Sequence, residues 1–299
     1  MRGVPVTLEI AAVTDIGQKR PNNQDNFLVN GCYVDHYDIT AERFETEDSL
    51  PVHVLAVCDG MGGQADGDVA AMIGVSTIAE YTGRFPDCAD GTAVSRLSRR
   101  MLREANSRIL NRMTETGKKM GSTLSMLVIS HTYVYACNLG DSEIYHKTSY
   151  NIERLSKPQT VAQELLDLGA ISEEQASRSY IRNQLSQYLG MENMRHMAPN
   201  ERLTEVRNGD ILLICSDGIS DVLPGHAIFS MLSSERPVRD IADAIIEKAL
   251  RKGSGDNLTV VIARVLDDGR TTVLRRRMAL LLGIAAGVAA FAALLLSLL

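Results

Sequence analysis

Runs in which β-branched and apolar residues crowd together recur at 6–13, 26–34, 52–58, 123–138, 203–215 and 258–265, and each reads as strand. Several of them, such as Val54-Leu55-Ala56-Val57-Cys58 and Ile211-Leu212-Leu213-Ile214-Cys215, show no polar alternation, so both faces of those strands are expected to be covered. Between the runs, helical spacing predicts Val69–Tyr81, Ala93–Met113, Val161–Leu168, Ser172–Arg178 and Val238–Leu250, with Ser172 and Gln175 placed as a capping box. Strands arriving partly in pairs and helices in clusters suit sheets covered by helices, an α+β pattern with neither strict strand–helix alternation nor a fixed repeat. The acidic stretch Asp35–Ser49 reads as a solvated loop between two strands.

The 299-residue chain ends in a segment of another kind. From Met278 to Leu299 the only polar side chain is Ser297, and roughly twenty apolar residues at about 1.5 Å each suffice to cross a bilayer core. A single C-terminal transmembrane helix in contact with lipid is therefore expected. Arg275, Arg276 and Arg277 stand just before it, and positive charge resists translocation, so the larger part is expected on the cytoplasmic side. Gly283 and Gly287 carry the small-residue spacing that lets two such helices pack, which predicts a weak dimer. The expected layout is a catalytic domain over 1–268, a basic juxtamembrane linker over 269–277 and a membrane helix over 278–299.

The formal charge of −6 excludes a concentrated basic surface, and the part before Arg275 is more acidic still, so nucleic acid is not an expected partner. Acidic clefts favour cations. Cys32, Cys58, Cys88, Cys137 and Cys215 are odd in number and scattered, the pattern of free thiols in a reducing compartment and not of a disulfide framework or a zinc site. The six histidines show no metal-binding spacing and read as surface or structural residues.

What carries chemistry is the position of the aspartates. Val54–Cys58 runs into Asp59-Gly60, Val134–Gly140 into Asp141, and Ile211–Ser216 into Asp217-Gly218, while Asp256-Asn257 leads into Leu258-Thr259-Val260-Val261. One Asp-Gly is ordinarily a turn. Four carboxylates at the ends of core strands are brought together wherever those ends are neighbours, and such a group needs a cation to hold it. Carboxylate oxygens suit hard ions such as magnesium or manganese. A pair of these ions activates water for displacement at phosphorus. Arg20 offers a fixed, bidentate fork for phosphate oxygens.

In their order the motifs resemble the type 2C, or metal-dependent, protein serine/threonine phosphatase family. The matching segments are Asp15-x-Gly17 with Arg20, Asn23-Gln24-Asp25-Asn26, Asp59-Gly60-Met61-Gly62-Gly63, Gly121-Ser122-Thr123, Gly140-Asp141-Ser142, Ser216-Asp217-Gly218 and Gly255-Asp256-Asn257, spread over residues 6–265. The resemblance implies an α+β four-layer sandwich of two antiparallel sheets flanked by helices, with the metal cluster in a cleft at one edge. It implies that Asp59 bridges two manganese or magnesium ions, that the Gly60 carbonyl binds one, and that Asp217 and Asp256 hold the other. Asp25 would act near the second ion, partly through water, and Asp141 would help bind a third, weaker one. Arg20 would grip the substrate phosphate, and a metal-activated water would attack phosphoserine or phosphothreonine without a phosphoenzyme. Phosphoprotein substrates, a serine/threonine kinase among them, are the implied partners.

Four departures mark this chain. Gln24 stands where many relatives carry Glu, Met61 where some carry a histidine general acid, Glu143 where Arg is usual, and Lys157-Pro158-Gln159-Thr160 replaces Asp-His-Ser. The general acid is accordingly unassigned. The segment at about 157–187 occupies the place of the family's flap, with Arg178 and Arg182 read as facing solvent. Two other readings stay open: a non-catalytic module that binds phosphoprotein or scaffolds a membrane complex, and a metal-dependent nuclease or small-molecule phosphohydrolase.

Overall fold

A computed structural model describes residues 4–61, 66–131 and 133–271, together with Val273, Met278 and Leu281. In chain order the strands are β1 (Val6–Asp15), β2 (Asp25–Val29), β3 (Cys32–Tyr33), β4 (Ala41–Leu50), β5 (Val52–Met61), β6 (Gly121–Ser122), β7 (Leu124–Ser130), β8 (Val134–Leu139), β9 (Glu143–Lys147), β10 (Ile152–Arg154), β11 (Asn200–Thr204), β12 (Ile211–Cys215) and β13 (Leu258–Asp267). The helices are α1 (Gly67–Thr82), α2 (Gly91–Thr116), α3 (Val161–Asp167), α4 (Glu173–Arg178), α5 (Asp217–Ser220), α6 (Gly225–Leu232) and α7 (Val238–Arg251).

Two sheets form, both with antiparallel neighbours. One runs β10-β9-β12-β13-β1-β4, the other β11-β8-β7-β5-β2-β3 with β6 against β5. Their facing surfaces close on Leu8, Ile10, Phe27, Leu55, Leu127, Leu212 and Val261. On the outer face of the second sheet, Val54, Ala56, Cys58 and Met126 pack under Ile78, Met101, Leu102 and Ile109 of α1 and α2. On the outer face of the first, Val13, Leu213 and Ile262 pack under Ile241, Ile245 and Ile246 of α7. The result is the expected four layers. It also explains the unbroken apolar strands: successive side chains point to opposite faces, and in β5 Leu55 and Val57 enter the inter-sheet core while Val54, Ala56 and Cys58 enter the helical one.

Several local expectations hold. Ser172 and Gln175 form the reciprocal capping box at the start of α4. Cys58, Cys137 and Cys215 are buried and every cysteine is a free thiol. His53 lies buried with Nε2 at 2.8 Å from the Val6 carbonyl, and His146 lies buried at 2.9 Å from Asp210, both structural placements.

Others are corrected. Asp35–Ser49 is not a loop throughout: Ala41–Leu50 is an edge strand paired with β1 along its whole length, and half-buried Glu42, Phe44, Thr46 and Asp48 alternate with exposed neighbours. Charge here keeps an open sheet edge soluble, so its acidity hid the strand. The run 203–215 is two strands in different sheets, β11 and β12, split where Asn208-Gly209-Asp210 turns with Gly209 at φ 84°. β9 reads as polar in sequence yet is buried, because Glu143 meets Arg154 and His146 meets Asp210. The membrane helix expected over 278–299, its basic collar at Arg275–Arg277 and the Gly283–Gly287 pair lie outside the described residues, save Met278 and Leu281. Among the described residues no helix is long and apolar enough to cross a membrane.

Candidate functional site

The site forms where strand ends from both sheets meet. Asp25 opens β2 and sits opposite Asp59 near the end of β5. The Gly60 N–H donates to the Gln24 carbonyl at 2.9 Å, the Asp59 N–H to Thr123 Oγ1 at 3.0 Å and the Thr123 N–H to the Asp59 carbonyl at 2.8 Å. Gly60 has no alternative: a Cβ there would come within 2.0 Å of the Gly67 carbonyl oxygen, so only glycine lets α1 start directly behind the strand. Gly218 is forced in the same way, since a Cβ would meet the Asn257 carbonyl oxygen at 2.0 Å.

Three polar side chains lock these ends together. Asn257 accepts from the Gln24 N–H at 2.9 Å and donates to the carbonyls of Ile16 at 2.9 Å and Asn22 at 3.0 Å, fixing the loop that carries Arg20. Ser216 donates through Oγ to Asp25 Oδ2 at 2.7 Å while accepting from the Thr259 N–H at 3.0 Å, a staple between the two sheets. Thr123 shares a hydroxyl bond with Ser142 at 2.9 Å, beside Asp141.

Five aspartates then load one cleft with negative charge. For Asp25, Asp59, Asp141 and Asp217 loss of water is the first cause of a raised pKa. Burial pushes Asp25 up to about 6, against the Ser216 bond and with repulsion from Asp256. Asp59 is held well above the carboxylate range by burial and then by Asp25, Asp217, Asp141 and Asp256. Asp217 is raised likewise, by burial and then Asp141, Asp256, Asp221 and Asp25. Asp141 is pushed up to about 7 by burial and the charges of Asp221, Glu143 and Asp256. Arg20 donates to Asp256 at 2.5 Å, and this bond first, then the fields of Asp256, Asp217 and Asp59, raises its pKa.

Of the residues singled out in the sequence, Arg20, Asp25, Asp59, Asp141, Asp217 and Asp256 thus lie close enough to act on one another's charge, with Gly60 next to Asp59. A cluster of oxygen donors whose charges resist coexistence fits hard divalent cations. Asp25 is buried, whereas Asp59, Asp141, Asp217 and Asp256 each keep partial exposure, leaving a route for an ion from solvent. Among the described residues no three Asp, Glu, His or Cys side chains close on a single point. An ion held here would fill much of its shell with water, as magnesium commonly does.

Sequence reasoning missed Asp221. It lies one helical turn beyond Asp217, raises both Asp217 and Asp141, and is held by Arg182 at 2.6 Å and Asn183 at 3.2 Å. The i, i+4 spacing of the two aspartates was the available signal. Arg182 therefore reaches into the site while staying about half exposed, and Arg178 pairs outside with Glu174 at 3.1 Å. Asp141, Asp217, Asp221, Thr160, Gln163 and Arg182 line a cleft of about 330 Å³ between the strand ends and the α3–α4 segment.

A sequence model described as Protein phosphatase 2C matches residues 38–261. The serine/threonine phosphatase stp of Listeria monocytogenes is 29% identical over 253 residues, covering 83% of this chain and 92% of its own. The crystal structure of the Mycobacterium tuberculosis serine/threonine phosphatase PstP/Ppp superposes with a TM-score of 0.71 at 30% identity, over 87% of this chain and all of that one. The PstP catalytic domain in complex with two manganese ions superposes with a TM-score of 0.69 at 29% identity, over 88% of this chain and 100% of that chain.

Proposed function

Because the chain belongs to the protein phosphatase 2C family, we propose that it hydrolyses phosphoserine and phosphothreonine in proteins, and that it does so at the cytoplasmic face of a membrane. The observation that carries the catalytic part is the convergence of mutually repelling aspartates beside the Arg20 guanidinium. Asp25, Asp59, Asp217 and Asp256, with the Gly60 carbonyl, would hold two manganese or magnesium ions, and Asp141 a third, weaker one. When bound, these ions supply positive charge for the phosphate oxygens and activate water for attack at phosphorus.

The rest of the work falls to the chain itself. Arg20 lies half exposed at the mouth of the site, so its guanidinium is free to exchange Asp256 for a substrate phosphate without leaving the cleft. The loop holding Arg20 is pinned by Asn257, which limits how far the handle wanders. Ser216 keeps Asp25 oriented and favours its ionised form. Met61 follows Asp59-Gly60 and cannot give a proton to the leaving serine oxygen, so another donor, water in this proposal, must supply it.

The membrane part rests on the apolar run 278–299 behind Arg275–Arg277, with lipid and a second copy packed through Gly283 and Gly287 as its partners. Phosphoproteins, among them a serine/threonine kinase, are the proposed substrates.

The test is hydrolysis of a phosphothreonine peptide with and without manganese. Activity abolished by EDTA and by Asp217→Asn is expected; metal binding without turnover would favour a scaffold instead. Vesicle flotation of the full chain, but not of one ending before Arg275, is the expected result for the anchor.

A further inference from the structure

Beside the aspartates lies a cavity of about 420 Å³ that the chemistry described so far does not use. Four of its walls are thioethers, Met61, Met113, Met120 and Met191, with the Tyr188 ring beside them. Methionine is unbranched and polarisable, and it adapts to apolar guests of irregular shape. At the rim stand Lys119 and Glu192, one charge of each sign, so the cavity has no bias toward a phosphate or any other anion.

Its position is fixed by the strand that carries the site. Met61 is two residues beyond Asp59 on β5, and β6 lies against it with Gly121 opposite Met61 and Ser122 opposite Gly60. Ser122 in turn exchanges backbone bonds with Leu189 at 3.0 and 2.8 Å, which holds the 188–193 wall in place. Asp59 is bonded to the adjoining residue, Thr123, in both directions. Cavity and carboxylate cleft therefore share one rigid frame.

Two residues of extended chain advance about 7 Å, and residues two apart point to the same side. A substrate segment lying extended across the cleft with its phosphorylated side chain at Arg20 and the aspartates thus presents its second neighbour to the cavity. We infer that the methionine-lined cavity is a substrate subsite that takes an apolar, unbranched side chain two positions from the phosphorylated residue. This rests on the phosphatase reading above and adds to it a sequence preference in the substrate.

The experiment uses the full-length chain with manganese and synthetic phosphothreonine peptides that differ only in carrying norleucine or serine two positions before or after the phosphothreonine. Burial of one such side chain predicts a kcat/KM about tenfold or more higher for norleucine on one of the two sides. In Met191→Glu the norleucine-to-serine ratio is expected to fall to within about twofold of unity. Met113→Gln, at another lining residue on α2, is a second variant should the first not fold. Equal kcat/KM for norleucine and serine on both sides in the unaltered chain overturns the inference, as does a ratio unchanged in both variants. Manganese-dependent turnover of p-nitrophenyl phosphate, too small to reach the cavity, is read in parallel. Its absence defeats the phosphatase reading itself; its presence without peptide preference defeats only the subsite.

Discussion

Arg20 donates to Asp256 Oδ2 across 2.5 Å, a bond between positions 236 residues apart. It brings a loop near the start of the chain onto the loop that precedes the last strand, and it places a guanidinium against a carboxylate proposed to hold metal. With 50% of the arginine side chain and 33% of the aspartate exposed, the pair contributes under about 1 kcal/mol to stability. Arg20→Ala is therefore expected to leave the melting temperature nearly unchanged while lowering kcat/KM on a phosphopeptide by roughly 10²-fold, the value of a charge-assisted phosphate contact. Arg20→Lys should recover part of the loss, since a point charge replaces the fork. A large drop in melting temperature would make Arg20 a structural residue.

The raised aspartates predict a pH-dependent response to metal. Asp25 and Asp141 move from 3.8 up to about 6 and about 7, and Asp59 and Asp217 rise well above the same starting value. A folded-state pKa above the unfolded one means that the folded chain binds more protons in between, so stability falls as pH rises through that window. Without metal, the melting temperature is expected to decline from about pH 4 to about pH 7 on account of these groups. Manganese takes over the neutralising role of the protons, so the rise in melting temperature on adding saturating manganese should grow between pH 5 and pH 8. A gain that is flat or shrinks with pH, read by thermal unfolding, contradicts the metal assignment.

Arg182 and Asn183 reach from the α3–α4 segment to Asp221, one turn past Asp217. The ion pair has side-chain exposures of 47% and 38%, too open to support the fold, and its effect is local. Arg182→Ala should leave global unfolding within about 1 kcal/mol of the unaltered chain. Limited proteolysis within 161–187 is expected to quicken several-fold. No change in the cleavage rate would mean that packing of Ala162 and its neighbours, and not this pair, holds the segment down.

How much of this was legible in the sequence follows from which forces act locally. The inter-sheet core announced itself because strands covered on both faces read as unbroken apolar runs, as in Val54–Cys58 and Ile211–Cys215. The aspartates were visible because glycine follows two of them at positions where a Cβ has no room, Gly60 and Gly218. β4 was not, since an edge strand with one covered face can be as acidic as a loop. Asp221 had only its i, i+4 spacing from Asp217 to mark it, and the Arg182 contact was invisible because it pairs residues 39 apart, which no local pattern encodes.

Ser216 carries the last prediction because it acts on Asp25 from the opposite sheet. Its hydroxyl is buried, donates to Asp25 Oδ2 at 2.7 Å and accepts the Thr259 N–H at 3.0 Å. Ser216→Ala leaves that N–H without its partner and takes one hydrogen bond from the carboxylate, a loss of about 1–3 kcal/mol in stability. The bond also lowers the Asp25 pKa against the effect of burial, so removing it drives the pKa further up. Ionised Asp25 then requires a higher pH, and the manganese-activated rate should rise at correspondingly higher pH and higher manganese than in the unaltered chain. A merely structural serine would reduce activity at every pH alike, so the displacement of the pH profile, measured on folded protein below its melting temperature, decides between the two roles.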